Sequence, residues 1–165
     1  MEDNKVLKLV YTFFVGILIA VFVGVGINTF YEPPKSPEYP SILNSYSGKE
    51  MNDEQQAAQA KFDKDVKEYN DSMKPYNRNV SIITLVFAVT LLAASIAFEK
   101  KIKFISDGVM LGSLFTLLYG IGRSFASEDS KYVFAAVSIG LVIVIYIGYH
   151  RFVKSHNISP AKPKE

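Results

Sequence analysis

The stretch Leu9–Tyr31, LVYTFFVGILIAVFVGVGINTFY, runs for 23 residues without a charge. A helix rises 1.5 Å per residue and a bilayer core is about 30 Å thick, so roughly 20 apolar helical residues cross it. The run is continuous, without the apolar/polar alternation of a transmembrane strand. It therefore predicts a transmembrane helix. Its apolar stretch exceeds the roughly 7–15 residues of a signal-peptide core. The exit, Asn28-Thr29-Phe30-Tyr31-Glu32-Pro33, contains no clean small-x-small cleavage site. A retained anchor is the better reading.

Three similar runs follow. Asn79–Phe98 lies between Arg78 and Glu99, Phe104–Gly122 is interrupted only by Asp107, and Tyr132–Tyr149 is ended by His150 and Arg151. Of the 165 residues 49% are hydrophobic and 21% charged, and the charges crowd into the segments between the runs. A water-soluble globule would mix the two at helix or strand period. The fold class this predicts is an all-α membrane protein, a bundle of four transmembrane helices. Segments 1–8, 32–78, 99–103, 123–131 and 150–165 then lie outside the bilayer. A net charge of +2 supplies no basic field for nucleic acid, and the absence of cysteine excludes disulfides, thiolate metal sites and cysteine nucleophiles.

Basic residues near the membrane set the orientation. Lys5 and Lys8, then Lys100, Lys101 and Lys103, then Arg151, Lys154, Lys162 and Lys164 give nine over three short segments. The opposite side also has nine, but diluted over the long 32–78 segment and the 123–131 loop. Density predicts both termini in the cytoplasm and 32–78 outside. The preference for Lys over Arg suggests an AT-rich, prokaryotic genome, hence a prokaryotic plasma membrane.

The extracytoplasmic segment has two parts. Pro33, Pro34, Pro37 and Pro40 fix φ and remove donors, predicting an extended strut. From about 50 to 74 the composition is rich in Gln, Ala, Lys, Asp and Glu without Gly or Pro, predicting a helix. Ser47 with Glu50, or Asn52 with Gln55, has capping-box spacing. Pro75 is expected to break or kink the chain, or to sit in the first turn of the second span. On this helix Phe62, Val66, Tyr69, Met73 and Tyr76 recur at spacings of four and three, forming one apolar stripe. The stripe Phe62, Val66, Tyr69 and Met73 is a candidate partner-binding surface. Three covers fit it: the strut through Tyr39, Ile42, Leu43 and Tyr46, the same helix in another copy, or a different protein. Asp63/Lys67 and Asp71/Lys74 have supportive spacing.

Within the spans, small residues form ladders: Gly16, Ala20 and Gly24; Gly108, Gly112, Thr116 and Gly120; Ala136 and Gly140. Such ladders let helix backbones approach closely. They fit packing inside the bundle or between copies, with the first and third spans expected to meet. Two ionisable residues are candidate intramembrane polar sites, since burying a charge in lipid is costly. Asp107 is expected to cap the start of the third span, with Lys8, Lys101 or Lys103 to neutralise it. Arg123, at the other end, is expected to snorkel or to pair with Glu32 or Glu128. The serines and threonines of the spans are of kinds ordinary in membrane helices.

The only histidines are His150 and His156, in or beside the C-terminal tail, and no metal-ligand spacing occurs. Ser159-Pro160-Ala161-Lys162 matches S-x-x-K in a tail with no scaffold to hold it, and no phosphate-binding glycine motif is present. No cofactor or catalytic residue is expected. Function divides between two readings. The leading one is a non-enzymatic scaffold or accessory subunit whose partners are the lipid bilayer and either a membrane protein or a second copy. The alternative is a small oligomeric channel or transporter using Asp107, Arg123 and the glycine-lined faces.

Overall fold

The structure, a computed structural model, describes residues 3–45, 51–99 and 102–150. Within them the chain forms four helices: α1 (Asp3–Phe30), α2 (Asp53–Phe98), α3 (Lys103–Phe125) and α4 (Ser130–Gly148). A short 3-10 turn, Ser41–Ser45, lies between α1 and α2. All four helices are long and apolar enough to cross a membrane, which makes this a multi-pass membrane protein by length and composition. The candidate cap Ser47/Glu50, Tyr46, Lys100, Lys101, His156 and the tail from Arg151 lie outside the described residues.

The principal departure from the sequence reading is at Pro75. The chain is not broken there, because α2 runs through Pro75 for 46 residues. At 1.5 Å per residue that is about 69 Å, roughly twice a bilayer core. Proline removes the N–H that would bond the Asp71 carbonyl and crowds it. Both residues are exposed, on a stretch outside the apolar run, where water can take that carbonyl. α2 begins with a capping box: Asn52 Oδ1 accepts from the Gln55 N–H at 2.8 Å, and Gln55 Oε1 accepts from the Asn52 N–H at 3.2 Å. Asp53 and Glu54 then face the positive end of the helix dipole. We call residues 53–78, the part of α2 that precedes the second apolar run, the arm.

α3 is the hub. α1 and α2 pack along it, α4 leans on it more lightly, and α1 meets α2 only marginally. Small residues permit this. A Cβ added to Gly108 would lie 2.7 Å from Val15, and one on Gly112 2.8 Å from Ile19. Gly16 sits against Leu111, Gly120 against Thr84 and the Ser81 carbonyl, and Gly140 against Ile121. Ala136 is buried in a cluster with Leu85, Ala88 and Leu117, and Ala20 is half-buried. Gly24 departs from the ladder: nothing lies within 4 Å of its added Cβ. The outward faces of α1 and α4, including Phe14, Leu18, Phe22, Phe134, Val142 and Ile145, are exposed, as lipid contact requires.

Candidate functional site

The arm is braced by its own chain. The strut, residues 32–40, has no regular structure, and Tyr39 sets its ring edge-on to Phe62 with centroids 5.2 Å apart. The Ser41–Ser45 turn packs on α2 and buries Leu43. Lys35 and Pro37 share a shallow surface groove with Tyr69. Met73 packs on the cluster of Val23, Ile27, Tyr76 and Val80. Phe62, Val66, Tyr69 and Met73 are half-buried; the strut meets Phe62 through Tyr39 and lies beside Tyr69, whereas Met73 rests on α1 and the base of α2. On the charged faces Lys64 lies 3.8 Å from Glu68, and Asp63 accepts from Gln59 Nε2 at 2.7 Å rather than pairing with Lys67.

At its base the arm is gripped from two sides. From α1, Tyr31 stacks on Tyr76 at 5.1 Å with the rings 8° from parallel. Its carbonyl accepts from the Tyr76 hydroxyl, and its hydroxyl accepts from Asn79 Nδ2 at 2.9 Å. From the α3–α4 turn, Glu128 approaches Lys74 Nζ to 3.0 Å, while Asp71 lies 3.3 Å from the same ammonium. Hydrogen bonding to Glu128 first, then to Asp71, holds the Lys74 ammonium above its ordinary titration range. The Ala126 carbonyl accepts from buried Asn77 Nδ2 at 3.0 Å. Glu128 has φ 55°, a left-handed conformation uncommon outside glycine, which tightens this turn. Asp129 then caps α4, its Oδ1 accepting from the N–H groups of Lys131 and Tyr132.

Of the two intramembrane candidates, Arg123 has another neighbour than the sequence suggested. Arg123 does not pair with Glu128, which Lys74 holds; its guanidinium lies over the Tyr76 ring at 5.2 Å. Its Nε is buried without a hydrogen-bond partner, as is Asn77 Oδ1. Asp107 is not the cap of α3. That position is Ile102, which makes no side-chain cap, and Asp107 lies in the second turn, half-buried. Lys8 sits over the Phe104 ring at 4.5 Å. Asp107 and Arg123 stand near opposite ends of α3, so the fold does not bring them together.

The sequence reading passed over the hydroxyl seam between α2 and α3. Ser81 Oγ donates to the Gly120 carbonyl at 2.7 Å near the arm. Toward the far end Ser95 and Ser106 exchange hydroxyl-to-carbonyl bonds at 2.8 Å each. Thr84 and Thr116, buried between them, donate to carbonyls one turn back on their own helices. The signal was present: Asn77, Ser81, Thr84, Ala88 and Ser95 recur at spacings of three, four and seven on one face of α2. These hydroxyls are saturated, which suits them to fastening helices.

No cluster of three or more metal-ligating side chains occurs among the described residues. Comparison of the chain with protein-family models, with curated proteins and with solved structures returned no match, so the reading of this site rests on its own chemistry.

Proposed function

We propose that this protein is a non-enzymatic integral membrane scaffold or accessory subunit that presents a braced helical arm to a partner membrane protein or to a second copy. The observation that carries the reading is the unbroken helix Asp53–Phe98. A loop that only joined two spans would need a few residues, whereas this connection builds a lever of about 39 Å from residues 53–78. It then holds that lever with aromatic stacking, an ion pair and side-chain hydrogen bonds at its base. Phe62 and Tyr69 of the stripe serve as the seat of the strut. Strut and helix together form the docking unit, with exposed Lys61, Lys64, Lys67 and Glu68 on its open faces. In the orientation proposed, the arm projects from the plasma membrane and both termini are cytoplasmic.

The test is photocrosslinking in cells. A photoreactive residue at Lys64 or Lys67 should give a discrete heavier adduct, and one at lipid-facing Val142 should not. Absence of any adduct along the arm contradicts the scaffold reading. Cysteines at Ala57 and Ser155, probed with an impermeant thiol reagent, test the orientation: position 57 should label and 155 should not.

A further inference from the structure

α2 and α4 each pack on α3 but barely touch one another, and an apolar groove of about 390 Å³ runs between them. Its floor is Leu85 and Ala136, buried against Leu117 of α3. Its rims are Ile82, Val86 and Val89 on α2, with Ala135 and Ile139 on α4, all exposed to the membrane. From Ile82 to Thr90 the groove covers eight helical steps, about 12 Å, close to the depth of one leaflet of a roughly 30 Å core. Thr90 Oγ1 donates to the Val86 carbonyl, so the deep end presents a satisfied hydroxyl.

The mouth is different. The α2 row Ile82, Val86 and Thr90 continues at the same four-residue step to Arg78, and the α4 row Ala135 and Ile139 continues to Lys131. Both helices run from the arm side inward, so both cations stand at the same membrane boundary. There the Tyr132 hydroxyl reaches across to the Arg78 carbonyl at 3.4 Å. Arg78 and Lys131 are exposed. Neither Arg78 nor Lys131 is in an ion pair with a carboxylate among the described residues. The nearby Asp129 carboxylate is engaged with the first N–H groups of α4.

We propose that this groove binds an anionic phospholipid of the arm-side leaflet, its headgroup phosphate held by Arg78 and Lys131 and an acyl chain lying between α2 and α4. Charge decides the occupant. A second copy docked here about a two-fold axis would bring its own Arg78 and Lys131 to face these, setting like charges together. A lipid phosphate neutralises them, and each basic group at headgroup level raises affinity for an anionic lipid on the order of fivefold.

The experiment is native mass spectrometry of the full chain in mild detergent, with phosphatidylglycerol or phosphatidylcholine of identical acyl chains added. Wild type should retain one phosphatidylglycerol with roughly 25-fold preference, as two such groups together give. Arg78→Gln with Lys131→Gln should bind both lipids equally. Ala135→Phe, which fills the groove from an exposed position, should lose the bound lipid. Lys5→Gln, exposed at the opposite end of α1, should behave as wild type, and helical circular dichroism with thermal melting establishes that each variant is folded. Equal binding of the two lipids by wild type, or a preference that survives the double substitution, overturns the proposal. So does a dimer mass, without lipid, that Ala135→Phe abolishes, since a second copy is then the occupant.

Discussion

Lys74 Nζ lies 3.0 Å from a Glu128 carboxylate oxygen and so ties the arm to the turn between α3 and α4. The two residues are 40% and 67% exposed, so water and salt weaken the pair. Its value is positional: it joins elements far apart in the chain. The Lys74 pKa is raised, chiefly by Glu128, so the charged lysine is favoured in the folded state. The pair therefore contributes fully below the ordinary lysine value of 10.5 and fades as pH climbs through the raised folded value. Glu128→Gln should move the Lys74 titration, followed by NMR, down toward 10.5. An unchanged titration would show that the pair does not form.

The serine exchange predicts a coupled loss. Ser95→Ala and Ser106→Ala should each destabilise the bundle by about 0.6 to 1.7 kcal/mol, the range for hydrogen bonds between membrane helices. The double variant should cost less than the sum, because either change already removes the contact between the two hydroxyl oxygens, 3.3 Å apart, that both residues share. Unfolding in a denaturing-detergent titration measures this, and strict additivity would mean that the two hydroxyls act independently.

Gly112 and Gly24 make a contrasting pair. A side chain at Gly112 meets Ile19 and the Gly16 carbonyl, whereas Gly24 faces open space. Gly112→Leu should separate α1 from α3 and lower the melting temperature in detergent by several degrees, on the order of 1–3 kcal/mol for overpacking. Gly24→Ala should be neutral. Equal effects would remove the close α1–α3 approach from the account.

The junction at Tyr76 predicts a graded series. Tyr76→Phe keeps the ring that stacks on Tyr31 and lies under Arg123, losing only the hydrogen bond to the Tyr31 carbonyl. Tyr76→Leu loses both ring contacts as well, about 1–2 kcal/mol more. If both variants melt together, the ring contacts contribute nothing.

The spans were legible because lipid demands long uncharged helical runs, and Leu9–Tyr31 or Tyr132–Tyr149 admits no other reading. The capping box at Asn52 and Gln55 was legible for a similar reason, its geometry being local. Pro75 was not. Proline's local preference argues for a break, but the exposed position of Asp71 and the grip on Tyr76 and Asn77 let the helix continue. Partner choice was also hidden. Glu128 matches Arg123 or Lys74 equally well on paper, and only the packing of α2 on α3 brings Lys74 to it. Gly24 stands in step with Gly16 and Ala20, yet nothing lies within 4 Å of its added Cβ, which spacing alone does not reveal.

The central claim is that the arm and the second span are one rigid helix. Because the chain has no cysteine, spin labels can be placed at Ala60→Cys and Ala93→Cys alone, 33 residues apart on α2. Pulsed electron–electron double resonance in lipid nanodiscs should give a single narrow distance distribution centred at about 50 Å, the rise of 33 helical residues. A broad distribution, or one centred well below 40 Å, would mean that the helix breaks or hinges at Pro75 and would contradict the account.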